Sequence, residues 1–251
     1  FDRGANGLAL TKQGEELSTY LSGMFQELEG RIEKIAKQEA ASPLVISCEP
    51  TICLRLLIPL LTDLMQETNL DVRVLSGGGP IDFRSTWADL AVRRADFLIP
   101  KSLHQVSLGP ELMGPVHHPR LIQTWGEADE LYTRIRSKTR TEAWEEWEAG
   151  QEAMPFKSEF TYQHHFLALE AAENGLGVAM ASVYMVARSL ERGSMVTAGS
   201  FKADGSEYVC LSKTPFDDDP RKQVFVDWMA AKFADIVQKN APSAETEGAM
   251  S

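Results

Sequence analysis

The sequence is short of three things: cysteine, long apolar runs and positive charge. Three cysteines, Cys48, Cys53 and Cys210, are too few and too odd in number for a disulfide framework. They lie in apolar surroundings, so buried free thiols are expected. No apolar run reaches the roughly 20 residues that span a bilayer, and the best candidate, ICLRLLIPLL, is broken by Arg55 and Pro59. The N-terminus lacks the basic and then apolar layout of a signal peptide, which places the expected compartment in the cytoplasm. Lysine and arginine total 25 against 36 acidic residues, a net charge of −11. Such a surface repels a phosphate backbone unless a basic patch is segregated. The nearest candidates, Arg93-Arg94 and the stretch from Arg134 to Arg140, are interleaved with strand and turn residues. Also missing are a G-x-S-x-G elbow, a phosphate loop and any metal-ligand spacing, so an enzyme on the same frame is the weak alternative. Paired acids such as Glu145-Glu146 read as solvated charge, and neither cofactor nor metal is expected.

What is present is ordinary globular material: 43% hydrophobic and 24% charged residues over 251 positions, room for one large or two small domains. From Thr11 to Gln38 a helical pattern carries Leu17, Leu21, Met24, Leu28, Ile32 and Ile35, spaced four, three, four, four and three apart. That narrow stripe between charged flanks reads as a dimerising helix, against the plainer reading of a helix packed on its own domain. Ser42-Pro43 stops it within a linker. Strands LVISC, LDVRVLS and ADLAVRR then alternate with a helix at TICLRLLIPLLTDLMQET and a short one expected after GGGPIDF. The rhythm restarts after PVHHP with strands LYTRIRS, KSEFTYQ, GVAMASV and YVCLSK and helices TEAWEEWEAGQ, HHFLALEAAENG and YMVARSLERG. An amphipathic helix, PRKQVFVDWMAAKFADIVQKN, ends the pattern and is expected to return to the first unit. Alternating strands and helices predict an α/β fold with parallel sheet, here two successive units with a cleft between them.

The opening stretch FDRGANGLALTKQGEEL resembles the wing and linker-helix start of LysR-type transcriptional regulators, a pattern F-x-R-x-x-x-G-L-x-L-T-x-x-G-x-x-L. Phe1, Arg3, Gly7, Leu8, Leu10, Thr11, Gly14 and Leu17 stand at matching positions. The likeness continues through LVISCEPTICLRLLIPLL, WADLAVRR, GPVHHP, EAWEEW, ALEAAENGLGVAMAS and FVDW, over essentially the whole chain. Trp144, Trp147 and the Gly-Val-Ala segment look most like the subgroup that includes the glycine-cleavage regulator. The resemblance implies two Rossmann-like lobes as in type 2 periplasmic binding proteins, preceded by a long linker helix. It divides the chain into the wing's end at 1–10, a linker and dimerisation helix at 11–41, lobe 1 at 42–118 plus 216–240, lobe 2 at 119–215, and a disordered tail at 241–251. Most of the DNA-binding winged helix-turn-helix is then expected to be absent.

A sensor of this type would close its lobes on a small-molecule effector, work as a homodimer or homotetramer, and meet DNA only through the missing N-terminal part, with no membrane contact. A headless partner that forms mixed oligomers with full-length regulators is the other reading. In open parallel sheets, ligands sit beyond the carboxyl ends of the strands. Glu49, Pro50 and Thr51 follow the first strand, and the resemblance favours Thr51 as a ligand-binding hydroxyl over a helix cap. Ser76, Gly77 and Gly78 follow the second, where backbone amides can approach a carboxylate. Thr139 and Arg140 end one strand of the second lobe, and Tyr162 and His164 another. Arg140 suits a carboxylate fork or a solvated helix start equally. His117-His118 reads as a hinge and Trp144 with Trp147 as packing. These residues point to a small carboxylate or amino acid, while Phe160, Tyr162 and His164 would also accept an aromatic ring.

Overall fold

The computed structural model describes residues 2–4, 7–37, 42–124, 132–149 and 153–240, without the side chains of 2–4, 7–9, 31–37 and 122–124. Phe1, the linker segment 38–41 and the tail 241–251 lie outside it, as do the side chains of Ile32 and Ile35. Strands β1 (Asp2–Gly4) and β2 (Gly7–Ala9) pair as a hairpin, and α1 (Lys12–Lys37) follows it. The Thr11 hydroxyl accepts from the Gly14 amide at 3.0 Å, which satisfies one of the free donors at the helix start.

The remaining strands form one nine-stranded sheet. β3 (Leu44–Cys48), β4 (Val72–Ser76) and β5 (Leu90–Arg94) run parallel in the order β4-β3-β5. β7 (Tyr132–Ser137), β8 (Phe156–Tyr162) and β9 (Val178–Ser182) repeat that order as β8-β7-β9. Each trio therefore places its second strand outside its first and its third inside. Two long antiparallel strands join the trios: β6 (His104–His117), beside β9, and β11 (Lys202–Ser212), beside β5. The short β10 (Val196–Thr197) pairs the end of β6 at His117. This is a mixed α/β fold of two lobes hinged on the crossing pair.

The sequence pattern misses β6 altogether. HQVSLGPELMGPVH has two glycines, two prolines and no clean alternation, yet its second half is almost wholly buried because β11, β9 and α7 (Pro220–Asn240) enclose it. The register between β6 and β11 breaks around Asp204–Ser206, a bulge with Gly205 at φ +84°. The helix expected after GGGPIDF is not formed. The Asp82 carboxylate and carbonyl take the Arg84 amide at 2.9 Å and the hydroxyls of Ser85 and Thr86 at 3.0 and 3.2 Å, which holds the chain in a turn.

After β3 the chain is helical from Pro50 to Thr68, as α2 (Pro50–Ile52), a π turn over Cys53–Leu57 and α3 (Ile58–Thr68). Pro59 explains the interruption: it has no amide to give the carbonyl four residues back, and a widened turn relieves the ring clash. α4 (Ala143–Glu148), α5 (His165–Glu173) and α6 (Val183–Glu191) cover the second trio. α7 packs on α3, α6 and β6, where the Trp228 indole donates to Glu67 at 2.7 Å. Its return to the first lobe is thus shared with α6. Cys48, Cys53 and Cys210 are free and buried. Among the described residues no helix is long and apolar enough to cross a membrane.

Candidate functional site

The facing ends of the two trios meet in one polar cluster. Glu49 follows β3, Arg94 closes β5, Arg140 stands just beyond β7, and Ser182 closes β9. All four are at carboxyl ends of parallel strands, on either side of the switch between first and third strand. The crossing strands add Glu111 from β6 and Tyr208 and Asp204 from β11, and α5 adds His165.

Arg140 spans the lobes. Its Nη2 donates to Glu49 Oε1 at 3.1 Å and reaches the Tyr208 hydroxyl at 3.4 Å, and its Nη1 lies 3.8 Å from Asp96. Burial opposes its charge, but Tyr208, Glu49 and Glu111 more than compensate and hold its pKa above the ordinary value. Arg94 is tied to Asp96 at 2.8 Å and Asp204 at 2.6 Å. A second bridge crosses the cleft farther out, from Arg55 in the π turn to Glu173 and, at 3.3 Å, Glu170 on α5. The Ser189 and Ser194 hydroxyls steady Glu173 at 2.8 and 2.7 Å.

The centre of the cluster is less satisfied. Glu111 is 0% exposed, neither of its oxygens closes a hydrogen bond, and its nearest ion partner, Arg94 Nε, stands 3.7 Å away. Burial raises its pKa to about 7, opposed by Arg140 and Ser182. His165 is 2% exposed with neither ring nitrogen bonded; burial, then the positive charge of Arg140 and Arg94, lowers its pKa to about 3. The Ser182 hydroxyl lies beside Glu111, and the Nε donors of Arg94 and Arg140 are likewise buried without hydrogen-bond partners. Native proteins keep few such groups, and each requires a reason.

Of the residues expected from sequence, the structure brings together Glu49 and Arg140, with Pro50 and Thr51 beginning the helix that packs against α5. Thr51 is buried and is not the cap; Glu49 holds that place without a side-chain bond. Gly77 and its loop are fastened from below, Gly77 donating to the Cys48 carbonyl at 2.9 Å and Arg93 to the Gly79 carbonyl at 2.8 Å. Ser76 and Gly78 are exposed. Thr139 is exposed and bonded to Ser137, and Tyr162 is half-buried at the end of β8. His164 is exposed, stacked on Phe166 with ring centroids 5.5 Å apart, and the histidine inside the cluster is its neighbour His165. Glu111, Ser182, Asp204 and Tyr208 were not expected. The one signal for Glu111 was an acid in the otherwise apolar ELMGPV.

The arginines read as possible basic patches are tied down in place, Arg93 by neutral acceptors and the others by carboxylates. Arg93 donates to the Ser47 hydroxyl and carbonyl, Arg134 pairs Glu148 at 3.0 Å over the rings of Trp144 and Phe156, and Arg136 pairs Glu145 and Glu159. Trp144 and Trp147 are core residues, their indoles donating to the Ile135 and Ser200 carbonyls. His117 is buried where β6 ends. Among the described residues no group of His, Cys, Asp or Glu has the arrangement to hold a metal.

Two α/β lobes joined by paired crossing strands, with polar groups from both meeting in one buried cluster between them, have the architecture of a small-molecule-binding module. Residues 37–234 match the model of the LysR substrate binding domain, and the chain belongs to that family. The regulator TrpI of Pseudomonas aeruginosa is 28% identical over 245 residues, covering 93% of this chain and 82% of that protein. The activator AmpR of Citrobacter freundii is 27% identical over 236 residues, covering 91% and 80%. The solved effector domain of AmpR from P. aeruginosa superposes with a TM-score of 0.62 at 21% identity, over 79% of this chain and 98% of that one. The regulator CrgA of Neisseria meningitidis gives 0.58 at 16% identity, over 92% and 82%. The structures establish the shared fold, and the relatives are transcriptional regulators rather than enzymes.

Proposed function

We propose that this chain is the effector-sensing and self-associating part of a LysR-type regulator, active in the cytoplasm. A small carboxylate or amino acid closes residues 42–118 with 216–240 onto 119–215, and DNA contact belongs to a winged helix-turn-helix. The observation that carries the reading is the Glu49–Arg140 pair: it joins the carboxyl ends of the first strands of the two lobes, the position at which a ligand carboxylate would replace Glu49 on the guanidinium. Thr51 and the Ser76–Gly78 loop form the first lobe's wall of that site, and Thr139, Tyr162 and His164 its outer rim.

Linkage requires that the effector favour one lobe arrangement over the other. α1 then transmits the difference by pairing protomers. Its Leu17, Leu21, Met24 and Leu28 are 40–57% exposed, with Tyr20 and Phe25 beside them. The Trp144–Trp147 pair supports placement near the glycine-cleavage regulator subgroup. The test is a thermal-shift screen against carboxylates, amino acids and aromatic acids, repeated with Arg140→Lys. A ligand at about 100 times its dissociation constant stabilises the fold by roughly 2.7 kcal/mol. A stabilising compound whose effect shrinks in Arg140→Lys supports the reading; stabilisation indifferent to that change places the ligand elsewhere.

A further inference from the structure

The cleft holds more acid than base. Glu49, Asp96, Asp204 and Glu111 surround two guanidinium groups, Arg94 and Arg140. Arg94 is neutralised by Asp96 and Asp204, and Arg140 by Glu49. Glu111 is the carboxyl group left over, wholly buried on the crossing strand and unbonded at both oxygens. Leaving it there has a cost that a structural role does not explain, since Arg94 already has two closer partners.

Its neighbour His165 shares that condition. Both nitrogens of His165 are buried and unbonded, and His165 stays neutral, so it keeps one acceptor nitrogen; the Ser182 hydroxyl lies beside Glu111 and favours its ionised form. Two carboxylate oxygens and an imidazole nitrogen are acceptors short of a close donor: besides the Ser182 hydroxyl at Glu111, Arg94 Nε stands off at 3.7 Å, and Arg140 Nε is buried without a partner. An ammonium group supplies three donors and no acceptor, together with the positive charge that the excess of acid lacks. A simple carboxylate answers only Arg140 and, by displacing Glu49, adds to the surplus of negative charge.

We infer that the effector carries an α-amino acid group, its carboxylate taken by Arg140 and its ammonium by Glu111 with Ser182 and His165. This rests on the proposed effector site and goes further, because it excludes acids that lack the amine. Arg140 comes from the loop after β7, in one lobe, and Glu111 from β6, the hinge strand itself. A zwitterion therefore ties a lobe to the hinge strand, whereas a lone amine or a lone acid holds only one of them.

The test is calorimetric titration of the chain with L- and D-amino acids, each set beside its 2-hydroxy acid and its amide, and then of Glu111→Gln. The expected result is at least one amino acid that binds, with its hydroxy acid and its amide each about tenfold weaker or more. In Glu111→Gln the advantage of the amino acid over the hydroxy acid disappears while the hydroxy acid binds as before. Hydroxy acids that bind the wild-type chain as tightly as amino acids overturn the inference and leave the carboxylate site standing. Failure of every acid and amino acid to bind overturns both. The comparison of probes on the unaltered chain decides these outcomes whether or not Glu111→Gln folds.

Discussion

Helix α1 and the interlobe cleft break the same burial rule in opposite directions. α1 leaves Leu17, Tyr20, Met24, Phe25 and Leu28 more than half exposed. The cleft removes Glu111, His165, Ser182 and the Arg140 side chain from water without satisfying them all. Exposed apolar area gains by meeting apolar area of any well-fitting shape, so α1 demands little beyond a matching stripe. Unbonded buried polar groups gain only from a partner of defined charge and donor pattern. One feature therefore suits assembly and the other recognition, and each can be tested separately.

The largest effect is expected at α1. Replacing Leu21 and Leu28 by Glu removes four leucines from a paired helix interface, at about 1.5 kcal/mol each, or on the order of 6 kcal/mol and roughly 10⁴-fold in the dissociation constant. Sedimentation velocity should show monomers at concentrations where the unaltered chain self-associates, while ligand-induced thermal shifts persist. Association unchanged in the double variant would move the interface away from the stripe, and a lost thermal shift would end the separation of the two regions.

The difference between the regions also explains what the sequence could reveal. The α1 stripe was readable because helical periodicity alone defines it. The two trios were readable for the same reason, as apolar runs of strand length alternating with helices. β6 was not, because its burial is imposed by β11, β9 and α7 rather than by its own alternation. In the cleft, Glu49 and Arg140 were accessible to reasoning from strand ends. Glu111 and Ser182 were not, since nothing local distinguishes a buried acid or hydroxyl from a solvated one. His164 and His165 show the limit well: adjacent side chains diverge, and only the packing of α5 decides which one enters the protein.

A middle-sized effect is expected in the pH dependence of stability. Glu111 has a folded pKa of about 7, above its unfolded value near 4.5, because burial disfavours its charge. Its contribution is fully present below the unfolded value and is lost as pH rises to the folded one, roughly 3 kcal/mol between about pH 4.5 and 7. Arg94 and Arg140 favour the ionised form, Asp204 disfavours it, and Ser182 acts with the arginines. His165 runs the other way: its folded pKa near 3 makes the fold lose stability as pH falls below about 6.5. The two overlap, so the informative quantity is the denaturation free energy of the wild-type chain minus that of Glu111→Gln. That difference should fall with rising pH across this window, and a flat difference would show that Glu111 is already ionised and paired.

The smallest effect returns to α1, on the side away from the leucines. Gly23 and Gly30 lie there with Gln26 and Glu27, lining a groove of about 970 Å³ against Asp82–Asp89. A methyl group at Gly23 or Gly30 would meet nothing within 4 Å. Glycine inside a helix costs about 0.8–1 kcal/mol relative to alanine. Gly23→Ala should therefore raise stability by up to about 1 kcal/mol in chemical denaturation and leave the sedimentation coefficient unchanged. The sign decides between two uses of the helix. A gain means that the partner helix approaches only the leucine stripe, and the groove stays open when the chain associates. A loss, with weaker association, means that a backbone passes close to Gly23, where only glycine leaves room, so that α1 would be gripped on two faces.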